Sequence, residues 1–278
     1  MIHARLIIKL SLISILLIPF QLWGQDNIAL AIKSQYGNLY YPRSVEKFYK
    51  QNGYKLAWIA PDTVKTHAWD AMLLLDCVKQ YGLNHDDYHP KQLLYPKLHS
   101  LIEQKMNTAE TAIYDVLLTD AMICFINDLH YGKLNPVFTP EKVDKGVKFS
   151  ADAALLNALH SNDFLSAIDS VQPKSKLYFD LQDHMRLLVG QRSGDCYAIP
   201  QGLIRKMAIN MERIRWMTST GKPVHLTLIV RQGMVIMYRD KYNQDKALER
   251  ELYNENGFTN RYFKLKVYPD QLEAPQLK

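Results

Sequence analysis

The sequence predicts a mainly α protein, a helical body followed by a small C-terminal β-hairpin or α+β appendage. Three observations carry this. Apolar residues recur at steps of three and four over most of the first 220 positions. The stretch Asn107–Pro140 reads as one long helix, apolar nearly all round, which puts it at the centre of the fold. The period then changes at Gly221: Val224–Val230 and Met234–Tyr238 are β-like runs joined by Arg231-Gln232-Gly233, the pattern of a hairpin.

In chain order, the first segment reads as a leader. Arg5 and Lys9 flank an apolar run from Leu10 to Phe20, and Gly24 offers a small residue for cleavage. The run is short of the roughly 20 residues that span a bilayer. Residues 1–24 are therefore expected to be a signal peptide and the mature chain a soluble, periplasmic protein. Asp26–Tyr36 is an amphipathic stretch, and Ser44 is expected to cap a helix through Asn52. Tyr54–Ile59 reads as extended and anchored by Trp58. A helix from Pro61 to Tyr81 follows, with Trp69, Met72, Leu73, Asp76 and Cys77 at helical spacing and Gly82 at its end. Another is expected from Pro90 to Met106.

In the central helix, Ile113, Val116, Leu117, Ala121 and Cys124 keep the helical step. Asn107 and Glu110 have the spacing of a reciprocal cap, and Gly132 with Pro136 supplies the stop. Short helices are expected at 151–159 and 163–170, longer ones at 173–189 and 201–220, with a turn-rich break at 190–200. A polar helix over Gln244–Tyr253 and a strand over Arg261–Tyr268 complete the pattern. The expected domains are a helical unit over 25–220, a β-containing segment over 221–268 and a loose tail over 269–278.

The 278 residues carry a net charge of +6. The leader holds two of the 34 basic residues and none of the 28 acidic ones, leaving +4. That charge is dispersed, which argues against a nucleic-acid partner. The three cysteines, Cys77, Cys124 and Cys196, have neither CxxC nor metal-site spacing. No Gly-rich phosphate loop, GxSxG or HExxH occurs, so no cofactor is expected.

Four constellations bear on chemistry. His85-Asp86-Asp87-Tyr88-His89 has metal-ligand residue types, but it lies between a helix-ending Gly82 and Pro90, where Asp and Asn serve turns. Asp120, Asn127 and Asp128 are polar on an apolar helix. They suit a shifted acid or base, or fasteners that hold loops or pair with Lys133 or Arg186. Ser193-Gly194-Asp195-Cys196 offers a thiol with His184 near in sequence, or a turn. Glu212-Arg213-Ile214-Arg215-Trp216 suits a carboxylate or a sugar face, or a lock between helices. We take no residue as catalytic, metal-binding or cofactor-binding, and Asp120, Asp128, Lys133, Arg213, Arg215 and Trp216 as structural or binding candidates.

Five segments resemble, in order, the scaffold domain of the large L,D-transpeptidases of the bacterial envelope. They are Phe48-Tyr49 through Trp58; Tyr81-Gly82-Leu83-Asn84 with Asp87-Tyr88; Leu118-Thr119-Asp120-Ala121 through Asp128-Leu129 to Gly132-Lys133 and Pro136; Leu177–Leu188 with Gly194 and Ile199-Pro200; and Asn210–Met217. The resemblance covers roughly residues 40–230 and implies a helical scaffold that precedes a catalytic domain. That domain's Ser-x-Gly-Cys nucleophile has no counterpart, because no cysteine follows Trp216 and Cys196 lies upstream of it. The resemblance thus implies a non-catalytic, periplasmic protein that binds peptidoglycan or assists a cell-wall enzyme. The alternative is a split or degenerate transpeptidase with its catalytic half supplied elsewhere.

Overall fold

The computed structural model describes residues 22–59, 66–104, 108–135, 137–190 and 201–221, and the backbone of four short segments between 226 and 267; residues 22–26, 201–203 and 206 are described by backbone alone. The helical body is as expected in kind. Among the described residues ten α-helices run in order: α1 (Leu22–Gln35), α2 (Pro42–Gln51), α3 (Ala68–Asp76), α4 (Tyr95–Gln104), α5 (Ala109–Tyr131), α6 (Pro140–Asp144), α7 (Ala151–Leu159), α8 (Phe164–Asp169), α9 (Lys176–Val189) and α10 (Gln201–Thr220). Among the described residues no helix is long and apolar enough to cross a membrane.

The long helix is the hub. Every residue of α5 is buried except Ala109, Glu110, Ile113 and His130. A helix closed on all sides needs neighbours on all sides, and α1, α2, α3, α7 and α10 pack against it. The main core surrounds it, with Trp58, Phe48, Tyr49, Tyr114 and Phe125 among the largest closed side chains. A second, smaller core of Tyr178, Leu181, Met185, Met207, Ala208 and Met211 lies between α9 and α10.

Several expected boundaries move. The α5 cap is Thr108, whose hydroxyl accepts from Thr111 N at 3.1 Å, not Asn107 with Glu110. Asn107 lies outside the described residues, and Glu110 instead pairs with Lys97 at 3.1 Å. Ser44 does not cap α2, because Pro42 already opens that helix. Its first N–H groups are served from afar: Asp144 accepts from Arg43 N and Ser44 N at 3.2 and 2.8 Å.

The third helix begins at Ala68, with Thr66 and His67 outside it and Thr66 Oγ1 accepting from Ala68 N; Pro61 lies outside the described residues. It ends at Asp76, and Val78–Tyr81 tightens into a 3₁₀ turn. Its inner face is Ala68, Ala71, Met72 and Leu75, while Trp69, Leu73 and Cys77 face solvent. Residues 90–92 form a turn ahead of α4, with Gln92 N and Leu93 N both donating to His89 O. Residues 54–59 form no regular strand, although Trp58 is fully buried. Cys77 and Cys124 are both free thiols. Cys196 and the whole Ser193–Cys196 stretch lie outside the described residues.

Candidate functional site

Apolar helices rarely carry buried carboxylates, so each one on α5 needs partners. Asp120 is fully buried and accepts from Tyr40 N, Tyr41 N (both 2.9 Å) and His89 Nε2 (2.7 Å). It ties the entry to α2 and the turn before α4 to the hub. His89 sits at φ +53 and its ring lies against Tyr40, centroids 4.7 Å apart. Asp128 accepts from Tyr88 Oη at 2.9 Å, and burial pushes its carboxyl up to about 7. Neither expected cation reaches it: Lys133 is bonded to Asp87, and Arg186 Nε donates to Gln80 at 2.6 Å. The Lys133 charge nevertheless opposes the rise.

A third carboxylate escaped the sequence reading. Asp115 accepts three consecutive backbone N–H groups, from Ala57, Trp58 and Ile59 (2.9, 2.8 and 3.1 Å), and the Tyr49 hydroxyl at 2.6 Å. Burial raises its carboxyl, and these bonds oppose the rise. Tyr49 gives its proton to Asp115, so Thr119 donates to Tyr49 (2.8 Å) and accepts from Trp58 Nε1 (2.9 Å). This explains why residues 57–59 need no strand partner: their N–H groups are satisfied by Asp115 of α5.

The histidine and acid cluster disperses. His85 Nδ1 bonds Leu75 O at 2.9 Å, Asp87 meets Lys133 and His89 meets Asp120. Each side chain serves a different junction.

The densest junction is where α10 meets the hub. Arg215 is fully buried and donates to Tyr81 O (2.6 Å) and Tyr178 Oη (2.7 Å), and pairs with Glu212 at 3.3 Å. Glu212 Oε1 accepts from Leu134 N at 2.7 Å and Trp216 Nε1 at 3.0 Å. Trp216 is buried, so its indole offers no open face to a sugar. Arg213 is half-buried and bonds Asn210 on its own helix at 3.1 Å, apart from this junction. Asn135 completes the turn: Oδ1 accepts from Val137 N and Phe138 N, and Nδ2 donates to Tyr131 O and Ser219 Oγ.

Two glycines let α10 approach. A Cβ on Gly132 (φ +86) would lie 2.8 Å from Glu212 Oε1 and Trp216 Nε1, and one on Gly82 (φ +68) 2.9 Å from Ala208 Cα. Both turns need glycine for conformation and again for contact. Segments 81–88, 128–136, 177–188 and 210–217 therefore converge on one joint. The arrangement has the character of a structural lock, with its polar atoms engaged by the fold.

The family model for the scaffold domain matches residues 43–185, just over half of the chain. The chain belongs to the scaffold-domain family. That name is consistent with the resemblance to the L,D-transpeptidase scaffold. The matched span of the scaffold domain holds all three buried α5 carboxylates, both joint glycines and Tyr178. The α10 helix lies beyond it yet packs into the joint. No curated protein and no solved structure matches the chain.

Proposed function

We propose that this scaffold-domain protein acts at the cell wall of the periplasm, binding peptidoglycan or assisting a wall enzyme, without catalysis of its own. The observation that carries the reading is the joint on the scaffold domain. The domain clamps α10 through Arg215, Glu212 and Trp216, so that the end of α10 leaves the body at a fixed place. A clamp of this kind suits a domain whose work is to position what is attached to it.

The same reading includes the leader over 1–24 and a small β-containing end after Gly221. In support of the latter, the four backbone segments pair antiparallel, with 226–231 against 234–239 and 243–250 and 264–267 on the flanks. On this reading residues 243–250 are a strand rather than the expected polar helix.

Purified protein mixed with peptidoglycan sacculi is expected to co-sediment; recovery no higher than an inert protein of similar charge overturns wall binding. The alternative, a split transpeptidase, requires new cross-linked muropeptides when a separate catalytic half is supplied. Unchanged digests remove it.

A further inference from the structure

Among the described residues, Asn127 is the buried polar side chain of α5 that fastens nothing. It is 2% exposed, and neither Oδ1 nor Nδ2 has a hydrogen-bond partner. A buried unsatisfied polar group costs about 1–3 kcal/mol. Native folds rarely carry two on one side chain unless something occupies them. Asn127 lines a cavity of about 340 Å³ bounded by α2, the 143–150 loop and the start of α7. That lies at the small end of the range for ligand sites, about 300–1,000 Å³.

The other polar groups of this cavity fall into two sets. Asp144 is committed to Arg43 N and to Ser44 N and Oγ, and Lys47 to Asp152 (2.8 Å) and Ser150 (2.9 Å). The Arg43 guanidinium and the Lys145 ammonium, both on exposed residues that line the cavity, have no ion-pair partner among the described residues. The uncommitted chemistry is therefore the Asn127 amide within, its oxygen an acceptor and its NH₂ a donor of two hydrogens, and two positive charges at the rim. A side-chain amide accepts the N–H and donates to the C=O of a single extended residue. Cations beside it favour a carboxylate. Val143, Val147, Phe149 and Ala151 supply apolar wall for a small side chain.

We propose that this cavity binds the carboxyl-terminal end of a short peptide, with Asn127 on the N–H and C=O of its penultimate residue and Arg43 and Lys145 on its carboxylate. The proposal goes beyond the wall-binding reading and stands without it. A water molecule would satisfy Asn127 but leaves the two rim cations unexplained.

The test is a titration of the full ¹⁵N-labelled chain with N-acetyl-alanyl-alanine and, separately, with its C-terminal amide. The side-chain NH₂ signals of Asn127 are identified by their loss in Asn127→Leu, and that variant's fold is checked by circular dichroism. We expect a saturable shift of those signals and of the backbone amides of residues 143–152 with the acid, affinity for the amide weaker by about tenfold, and no shift of those backbone amides in Asn127→Leu. The surface variant Arg43→Gln should bring the acid down toward the amide. Absence of any Asn127 shift up to about 10 mM acid overturns the site and leaves water as its occupant. Equal binding of acid and amide, unchanged in Arg43→Gln, overturns the carboxylate assignment. Neither result touches sacculus binding, which is measured separately.

Discussion

Asp128→Asn should stabilise this protein above neutral pH, and by an amount that depends on pH. Asp128 is 4% exposed, and its partners are the Tyr88 hydroxyl and, at 3.8 Å, the Cys124 thiol. Burial lifts its carboxyl from an ordinary 3.8 to about 7. In between, the folded state holds a proton that the unfolded state has released. This group's stability is thus full below about 3.8 and is lost as pH rises through about 7. At about 1.4 kcal/mol per pH unit, the loss is about 4 kcal/mol when complete. Asparagine keeps an oxygen for Tyr88 and has no proton to lose. Its extra amide hydrogens, buried beside Tyr88 and Cys124, cost about 1–2 kcal/mol. The net expectation is a gain of about 2 kcal/mol at pH 8 and a loss of about 1–2 kcal/mol near pH 4. Urea unfolding followed by far-ultraviolet circular dichroism at pH 4, 6 and 8 measures it. A difference between the two proteins that stays constant across that range would refute the argument.

Three further outcomes follow from the same contacts. Asp115→Ala strips acceptors from three backbone N–H groups and Tyr49, and should cost about 3–5 kcal/mol in urea unfolding; a cost below about 1 kcal/mol contradicts the tether. Gly132→Ala puts a methyl against Glu212 and Trp216 at a positive φ, and should cost about 2 kcal/mol or more. It should also speed proteolysis around α10, and unchanged cleavage there would count against the joint. Cys77 is exposed, whereas burial holds the Cys124 thiol well above its usual range. Ellman's reagent should therefore lose one fast equivalent in Cys77→Ser, and Cys124 should react only after unfolding.

The long helix was legible because its composition permits one placement: a helix apolar on every side cannot lie at the surface. The meaning of Asp120 was legible for a related reason, since a carboxylate on such a helix must bond something. What it bonds was not legible, because Tyr40, Tyr41 and His89 are 31 to 80 positions away in the chain. Asp115 was missed for the same cause. Its three N–H partners belong to a stretch whose own pattern looked like a strand, and local pattern carries no trace of a side chain standing in for a β-partner. In α3 the signal itself failed. Leu73, Leu74 and Leu75 are consecutive, so the sequence offers apolar residues at every phase and cannot say that Leu73 faces out.

The glycines show where local and distant causes coincide. Gly82 and Gly132 read from sequence as helix stops, and both take positive φ after a helical turn. Each also sits where a methyl group would strike α10, more than 75 residues further along. The stop signal is read from neighbours in the chain, but it marks a contact that only the folded body contains. A helix stop followed by Lys133-Leu134-Asn135, whose backbone and side chain bind Glu212 and Ser219, is thus both the end of the hub and the seat of the last helix. Polar groups engaged at both tasks are not free for chemistry. Among the buried polar side chains of α5, unspent capacity lies instead with Asn127, one position before Asp128 and five before Gly132.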